Sequence, residues 1–360
     1  MTESVSAREI LRLRLIGQRI DPVGTADVAD TVRQLLAVQG QDFGQALWAI
    51  GLRSHASTRS SVLAALKRGE IVRSLPMRGT LHFVASEDLR WMLSVTSERS
   101  LKSWMLRMPR LGLDQSDFDR TAAIARDALV GGRSLSRDQF MRLLSDAGIA
   151  LGGLRGYNLI YYLTQRSLVC WGPPLGNQQA LVLVDDWIAP APVPGRAEAL
   201  RMFARRYFAG HGPATDRDFA WWAKLTLTDA RLAIDELGDE LTQLSCDGTR
   251  YWMATDALGY AASVSPGSRV QALPGFDEYL LGYQDRSLPL RAEHAGRIVP
   301  GNNGVFRPTI IAGDRVVGTW RRAPKGSAPS IEPEFFAAPT SAQLAGLARS
   351  AKRLQLFDGA

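Results

Sequence analysis

Two glutamines separated by one residue, Gln39 and Gln41, are the side chains of this 360-residue chain whose types and spacing best suit chemistry. They lie in the segment LLAVQGQD, where the apolar side of a predicted helix stops. A glutamine amide neither titrates nor attacks as a nucleophile, but it donates and accepts hydrogen bonds at the same time. Such a pair suits the orientation of a water molecule in a reaction whose leaving group needs little acid catalysis.

The backbone conformation decides whether the two amides can act together. On a regular helix, residues two apart point about 200° away from each other, whereas in an extended segment they share a face. Gly40 predicts that the helix ends between the two glutamines, which would let both side chains turn toward one point. The alternative is an ordinary helix C-terminus whose glutamines cap free carbonyl groups. Residue chemistry alone leaves both interpretations open.

Several other chemistries lack a sequence signature. The chain has no glycine-rich nucleotide-binding motif and no nucleophile-elbow motif, and its four histidines and two cysteines do not follow metal-ligand spacing. We therefore predict no metal and no cofactor. No apolar run approaches the roughly 20 residues that a membrane helix needs, and the first residues do not resemble a signal peptide. A cytoplasmic protein, associated with the nucleoid, is the expectation.

The positive charge is concentrated in the first third of the chain. Residues 1–110 hold 16 Lys and Arg against 10 Asp and Glu, which accounts for +6 of the total net charge of +7. A local basic surface suggests a polyanionic partner, nucleic acid first, although a solvated arginine-rich face is an equal alternative. Arg99 and Lys102 lie three apart on a predicted helix and share a face. The candidates for phosphate contacts are Arg53, Arg73, Arg78, His82, Arg99 and Lys102.

The order of predicted elements indicates an α+β protein built from a repeated unit. Three helices followed by a β-hairpin, the order of a winged helix-turn-helix module, recur in residues 1–110, 111–188 and 196–258. A proline-rich linker precedes the third unit, and residues 259–360 form a β-rich part with a closing helix. The predicted hairpins turn near Pro76, at Asp247-Gly248 and at Ala312-Gly313-Asp314.

Several longer segments resemble one known family. They are LLAVQGQD with Trp48 following, IVRSLPMRGTLHFV, GPATDRDFAWWAKL, LPGFDEYLLGYQDR and NGVFRPTIIAGDRVVGTWRR. Together they resemble the winged-helix DNA glycosylases, the group that includes the enzyme removing azinomycin crosslinks from DNA. The resemblance implies three tandem winged helices and a β-rich C-terminal part around a C-shaped basic cleft. It also places the catalytic Gln-x-Gln motif on Gln39 and Gln41, with Gly40 where the family often has alanine or an aliphatic residue.

The resemblance implies a glycosylase that hydrolyses the N-glycosidic bond of alkylated, cationic purines in double-stranded DNA. Bulky adducts and interstrand crosslinks are further candidate substrates. The motif contains no lysine to form a Schiff base, so we expect a monofunctional enzyme, acting as a monomer. A nearby carboxylate could assist, but the sequence does not identify it. Asp277, Glu278, Asp285 and Arg286 could bind across the cleft or lock the β-rich part to the helices, and we expect the structural role for most of them. The alternatives are a non-catalytic winged-helix DNA-binding protein or transcriptional regulator, and a scaffold with a basic surface.

Overall fold

A computed structural model describes residues 3–175, 178–264, 269–324 and 331–359 of the chain. The α-helices are α1 (Ala7–Gly17), α2 (Val28–Leu35), α3 (Phe43–Arg53), α4 (Arg59–Lys67), α5 (Leu89–Met105), α6 (Gln115–Leu129), α7 (Arg137–Asp146), α8 (Arg155–Gln165), α9 (Val184–Trp187), α10 (Arg196–Gly210), α11 (Asp216–Ala223), α12 (Leu227–Leu237), α13 (Thr255–Ser263), α14 (Glu278–Leu281), α15 (Ala295–Ile298) and α16 (Ser341–Asp358). The strands are β1 (Glu3–Ser4), β2 (Val38–Gln39), β3 (Ile71–Met77), β4 (Thr80–Ala85), β5 (Leu135–Ser136), β6 (Val169–Leu175), β7 (Gln178–Leu183), β8 (Leu241–Cys246), β9 (Thr249–Ala254), β10 (Val270–Leu273), β11 (Thr309–Ala312), β12 (Arg315–Arg322) and β13 (Ile331–Phe335). The predicted α+β class is confirmed.

The chain divides into two compact units. One unit combines Met1–Val62 with Leu200–Ala360, and the other is Leu63–Ala199. Both boundaries fall inside helices, α4 and α10. They differ from the boundaries of the four segments predicted from sequence, which stay a prediction.

The first unit contains two small sheets. Strands β10, β11, β12 and β13 pair in that order, all antiparallel, while β8 pairs with β9 on one side and with β1 in parallel on the other. Asp247 and Gly248 join β8 to β9 with φ angles of 49° and 74°, the conformation that a two-residue hairpin turn requires. Thr340 caps α16, and Ser350 on that helix accepts a hydrogen bond from the amide of Ala272 in β10. The two hairpins predicted in this unit and the closing helix are confirmed.

The second unit is built around a sheet to which its strands contribute in the order β4, β3, β6, β7, β5. Its core contains Phe118, Phe140 and Leu159 from the surrounding helices. The β3–β4 hairpin turns at Arg78–Gly79, with φ angles of 57° and 69°. The two strands predicted over residues 71–84 are confirmed, but their turn lies at Arg78–Gly79 and not at Pro76. Pro76 lies inside β3, where the pairing with β4 is irregular and the absence of a proline N–H is tolerated.

The order of three helices and a hairpin recurs along the chain. It is formed by α2 to α4 with β3 and β4, by α6 to α8 with β6 and β7, and by α10 to α12 with β8 and β9. Whether these are three winged-helix modules stays a prediction. Within the described ranges, no helix combines the length and apolar character that crossing a membrane requires.

Candidate active site

The Gln39–Gln41 motif follows a helix but does not belong to it. Helix α2 ends at Leu35, and Leu36 adopts a φ of 62°, which turns the backbone away from the helix axis. Gln39 then lies in the short strand β2. Asp42 caps α3, because its side chain accepts a hydrogen bond from the backbone N–H of Gln45 at 3.0 Å. The prediction that Gly40 ends the helix is wrong, because the redirection occurs four residues earlier. Gln39 is thus the last residue of a short strand, and Gln41 lies in the bend that leads into α3.

The two amides of the motif differ in exposure. Gln39 is 7% exposed and Gly40 is buried, whereas Gln41 is exposed to solvent. A buried amide has a defined orientation because its polar atoms must be hydrogen-bonded, while an exposed amide can reach a ligand that arrives from solution. The motif therefore combines the buried amide of Gln39 with the solvent-accessible amide of Gln41.

A buried carboxylate from the segment LPGFDEYLLGYQDR binds the backbone of the motif. Glu278, which begins α14, is 1% exposed, and its Oε1 accepts a hydrogen bond from the backbone N–H of Gln39 at 3.0 Å. Its Oε2 accepts from Nε1 of Trp222 at 2.9 Å and lies 3.4 Å from Nε2 of His211. The only sequence signal for this contact is an acidic pair, Asp277-Glu278, inside the otherwise apolar run LPGFDEYLLGY.

Asp277 forms a second buried link to the helix after the motif. Its two oxygens accept from Nη1 and Nη2 of Arg53, the last residue of α3, at 2.8 and 2.7 Å. Arg53 also donates to the backbone and side-chain oxygens of Gln18. Arg53 was expected to contact phosphate; that expectation is corrected here, since its fully buried guanidinium is committed to the protein interior. Its role is to fix the loop that carries Glu278.

Gln45 on α3 adds a third link to the same loop. Oε1 of Gln45 accepts from the backbone N–H of Gly275 at 2.9 Å. Trp48, one turn further along, is buried, and its Nε1 donates to the carbonyl of Ala272 at 2.9 Å. Trp48 is therefore a core residue that anchors α3 to β10 and not a surface for stacking bases.

The predicted phosphate contacts of the second unit centre on the β3–β4 hairpin. Arg78 is half-buried at the turn, and its Nη2 lies 2.9 Å from Nε2 of His82. Because arginine only donates, Nε2 of His82 must accept, and the ring proton is on Nδ1, which donates to the carbonyl of Thr80 at 2.8 Å. His82 is fully buried, so the expectation of a direct DNA contact is corrected: it is a neutral support for Arg78.

The remaining basic candidates lie elsewhere in the second unit. Arg73 donates to Oε1 of Gln179 at 2.6 Å. Arg99 and Lys102 are both exposed on α5, and Lys102 forms an ion pair with Glu98 at 2.7 Å. Both residues line an open surface groove, together with Arg166. The structure thus leaves Arg99 and Lys102 exposed, whereas Arg78 is half-buried.

Comparison with known proteins identifies the family. The family model described as DNA glycosylase AlkZ-like matches residues 32–357 of this chain. The chain belongs to the AlkZ-like DNA glycosylase family. It is 28% identical over 330 residues to the interstrand DNA cross-link repair glycosylase of Streptomyces sahachiroi, covering 88% of this chain and 87% of that protein. The solved structure of the DNA glycosylase AlkZ from the same organism has a similar fold, with a TM-score of 0.82 at 24% identity, over 99% of this chain and 97% of the other.

Membership of the AlkZ-like family confirms the function class predicted from sequence. The protein is a DNA glycosylase and its partner is DNA, which favours the enzyme over a regulator or scaffold. Among the residues that the structure describes, no group of three or more His, Cys, Asp or Glu is arranged to bind a metal ion.

Proposed function

We propose that this AlkZ-like glycosylase hydrolyses the N-glycosidic bond of alkylated purines in duplex DNA, using a water molecule oriented by Gln39 and Gln41. The observation that carries the proposal is the placement of the motif. A segment whose backbone is bound by a buried carboxylate presents one buried amide and one exposed amide. A helix C-terminus whose glutamines cap carbonyl groups would end at the motif, and α2 ends at Leu35 instead.

An alkylated purine is a good leaving group, so two neutral amides are sufficient to catalyse its release. Alkylation of a ring nitrogen gives the purine a positive charge, so the base departs without protonation by a strong acid. The transition state then has oxocarbenium character at the deoxyribose, as in other glycoside hydrolysis. The enzyme must place the attacking water and stabilise the positive charge with oriented dipoles. The amide oxygens of Gln39 and Gln41 can accept the protons of that water.

The same residues argue for hydrolysis without a covalent enzyme–sugar intermediate. A bifunctional glycosylase attacks the sugar with an amine, and the segment LLAVQGQD contains no lysine. We therefore propose a monofunctional enzyme whose product is an abasic site. Because a relative bears the name interstrand DNA cross-link repair glycosylase, bulky adducts and crosslinks join methylated purines as candidate substrates.

Binding of the DNA backbone is assigned to three cations of the second unit. Arg78 lies at the tip of a β-hairpin, and Arg99 and Lys102 share one face of α5. Phosphate contacts position a protein on DNA without reading its sequence, which suits an enzyme directed to damage in any sequence context. Arg73 is retained as a further candidate because it is only partly buried.

The test is release of the base from defined DNA. Duplex DNA carrying 7-methylguanine, 3-methyladenine or a crosslinked purine is incubated with the protein, and abasic sites are detected by alkaline cleavage. We expect release by the wild-type protein and at least a 100-fold slower reaction for Gln41→Ala, with DNA binding retained, because loss of one preorganised group in an active site typically costs about 100- to 1000-fold. Binding of DNA without release of any base in the panel would favour a non-catalytic DNA-binding protein.

A further inference from the structure

Glu278 connects the motif to two other parts of the first unit. His211 follows α10, Trp222 lies on α11, and each approaches Oε2 of Glu278, whose Oε1 accepts from the backbone of Gln39. His211 and Glu278 also pack closely against Gly282. A side chain at that position would place its Cβ 2.6 Å from Cδ2 of His211 and 2.6 Å from the carbonyl oxygen of Glu278, so only glycine fits there. The motif and the neighbouring helices α10 and α11, which are distant from it in sequence, thus converge on one buried carboxylate.

The hydrogen-bond pattern assigns Glu278 as a carboxylate. The backbone N–H of Gln39 and the indole N–H of Trp222 can only donate, and each donates to a different oxygen of Glu278. In the described part of the chain, Nδ1 of His211 is buried without a hydrogen-bond partner, which places the ring proton on Nε2, facing Glu278. Three N–H groups therefore surround the two oxygens, as expected for an ionised group whose lone pairs must be satisfied.

The position of this charge is unusual for a purely structural residue. A buried charge is costly even when it is hydrogen-bonded, and an apolar or neutral polar side chain of the same size would often serve packing equally well. The neighbouring Asp277 has an obvious structural use because it pairs with Arg53. Glu278 instead directs its Oε1 to the backbone of Gln39.

We propose that Glu278 is the positioning residue of the Gln39–Gln41 motif, fixing its backbone and supplying a negative charge beside the cationic sugar of the transition state. This inference rests on the proposed function. Glu278 forms no bond to the substrate; it acts through Gln39 and through the electrostatic field at the motif. A buried, preorganised negative charge stabilises a developing cation without reorganisation during the reaction.

The experiment compares Glu278→Gln with the wild-type protein in single-turnover release of 7-methylguanine. Glutamine keeps the size of the side chain and an oxygen for the backbone N–H of Gln39, but it removes the charge and turns an NH2 group toward the indole N–H of Trp222. We expect the rate to fall about 30- to 1000-fold while the Kd for lesion-containing DNA stays within about threefold. An unchanged rate, or a rate and Kd that worsen together with a lowered melting temperature, would overturn the proposal.

Two further variants separate charge from packing. Trp222→Phe removes the N–H donor at Oε2 and leaves the carboxylate, so we expect a loss of rate below about fivefold. Glu278→Asp keeps the charge on a shorter side chain and should react faster than Glu278→Gln; a slower reaction would contradict the electrostatic role. If Glu278→Gln does not fold, the release rates of Glu278→Asp and Trp222→Phe are compared instead. Both variants keep the charge, and only Glu278→Asp moves it away from Gln39. We therefore expect Glu278→Asp to be the slower of the two, and equal rates would overturn the proposal.

Failure of this inference differs from failure of the proposed function. If the wild-type protein releases no base, the proposed function fails. If it releases base and Gln41→Ala does not, while Glu278→Gln matches the wild type, only the role of Glu278 is lost.

Discussion

The Gln39–Gln41 motif and the Arg78 hairpin are held in opposite ways. The backbone of Gln39 is bound by Glu278, which lies 239 residues away in the chain, whereas Arg78 is supported by His82, only four residues away. The first arrangement is buried and the second leaves a half-buried cation at a turn. Chemistry requires geometry fixed to a fraction of an ångström, and long-range buried contacts supply it. Phosphate binding tolerates a locally supported cation, because the attraction depends weakly on direction.

The largest expected effect is on stability, at the buried ion pair behind the motif. Arg53→Ala or Asp277→Ala leaves an uncompensated charge in the interior, so we expect a loss of about 3–5 kcal/mol in the free energy of unfolding, measured by urea denaturation. The matched control is Lys102→Ala, which breaks an exposed pair and should cost about 0.5 kcal/mol. A loss below about 1 kcal/mol at Arg53 would mean that its pair with Asp277 does not support the site.

Removal of Arg78 should weaken DNA binding without affecting chemistry. For Arg78→Ala we expect about a tenfold higher Kd, and a slope of log K against log salt that is smaller by about 0.9, because one phosphate contact is lost. Base release at saturating enzyme should not change. Arg291→Ala, which alters an exposed arginine paired with Glu293, serves as the control. Equal effects of the two substitutions would remove Arg78 from the proposed DNA contacts.

A smaller effect is expected for the residue that supports Arg78. His82→Phe preserves the ring volume but removes the nitrogen that accepts from Arg78, so the guanidinium becomes less restricted. We expect the Kd for DNA to rise about threefold, with the salt slope unchanged, because the phosphate contact itself remains. If His82→Phe lowers the salt slope as much as Arg78→Ala does, His82 is itself part of the charged contact.

The smallest effect is expected at Lys102. Its ion pair with Glu98 already satisfies its charge on an exposed helix face, so part of the gain from a phosphate contact is offset. We predict less than a threefold increase in Kd for Lys102→Ala, measured in the same titration. A tenfold increase would place the main phosphate contact on α5 instead of on the hairpin.

Patterns of neighbouring residues predicted many of the helices and hairpins, but less of the structure around the Gln39–Gln41 motif. The turn at Asp247-Gly248 and the closing helix were predicted because each depends on residues that are close together in the chain. The end of α2 was missed because Leu36 adopts a positive φ that leucine rarely takes and that no residue type signals.

The support of the site could not be predicted for a related reason. Arg53 and His82 appear in the sequence as basic residues near the motif, and only the fold shows that both are buried. The contact between Glu278 and Gln39 joins segments whose proximity depends on the packing of the whole first unit. Periodicity and spacing carry no information about such a pair.

The most direct test of the central claim is a double-mutant cycle on the two glutamines. Single-turnover rates of 7-methylguanine release are measured for Gln39→Ala, Gln41→Ala and the double variant, with DNA binding recorded for each. If both amides orient one water molecule, the double variant should be little slower than the slower single variant, because groups that act as a unit are strongly non-additive. Rate losses that multiply, or a double variant that retains the wild-type rate, would contradict the account.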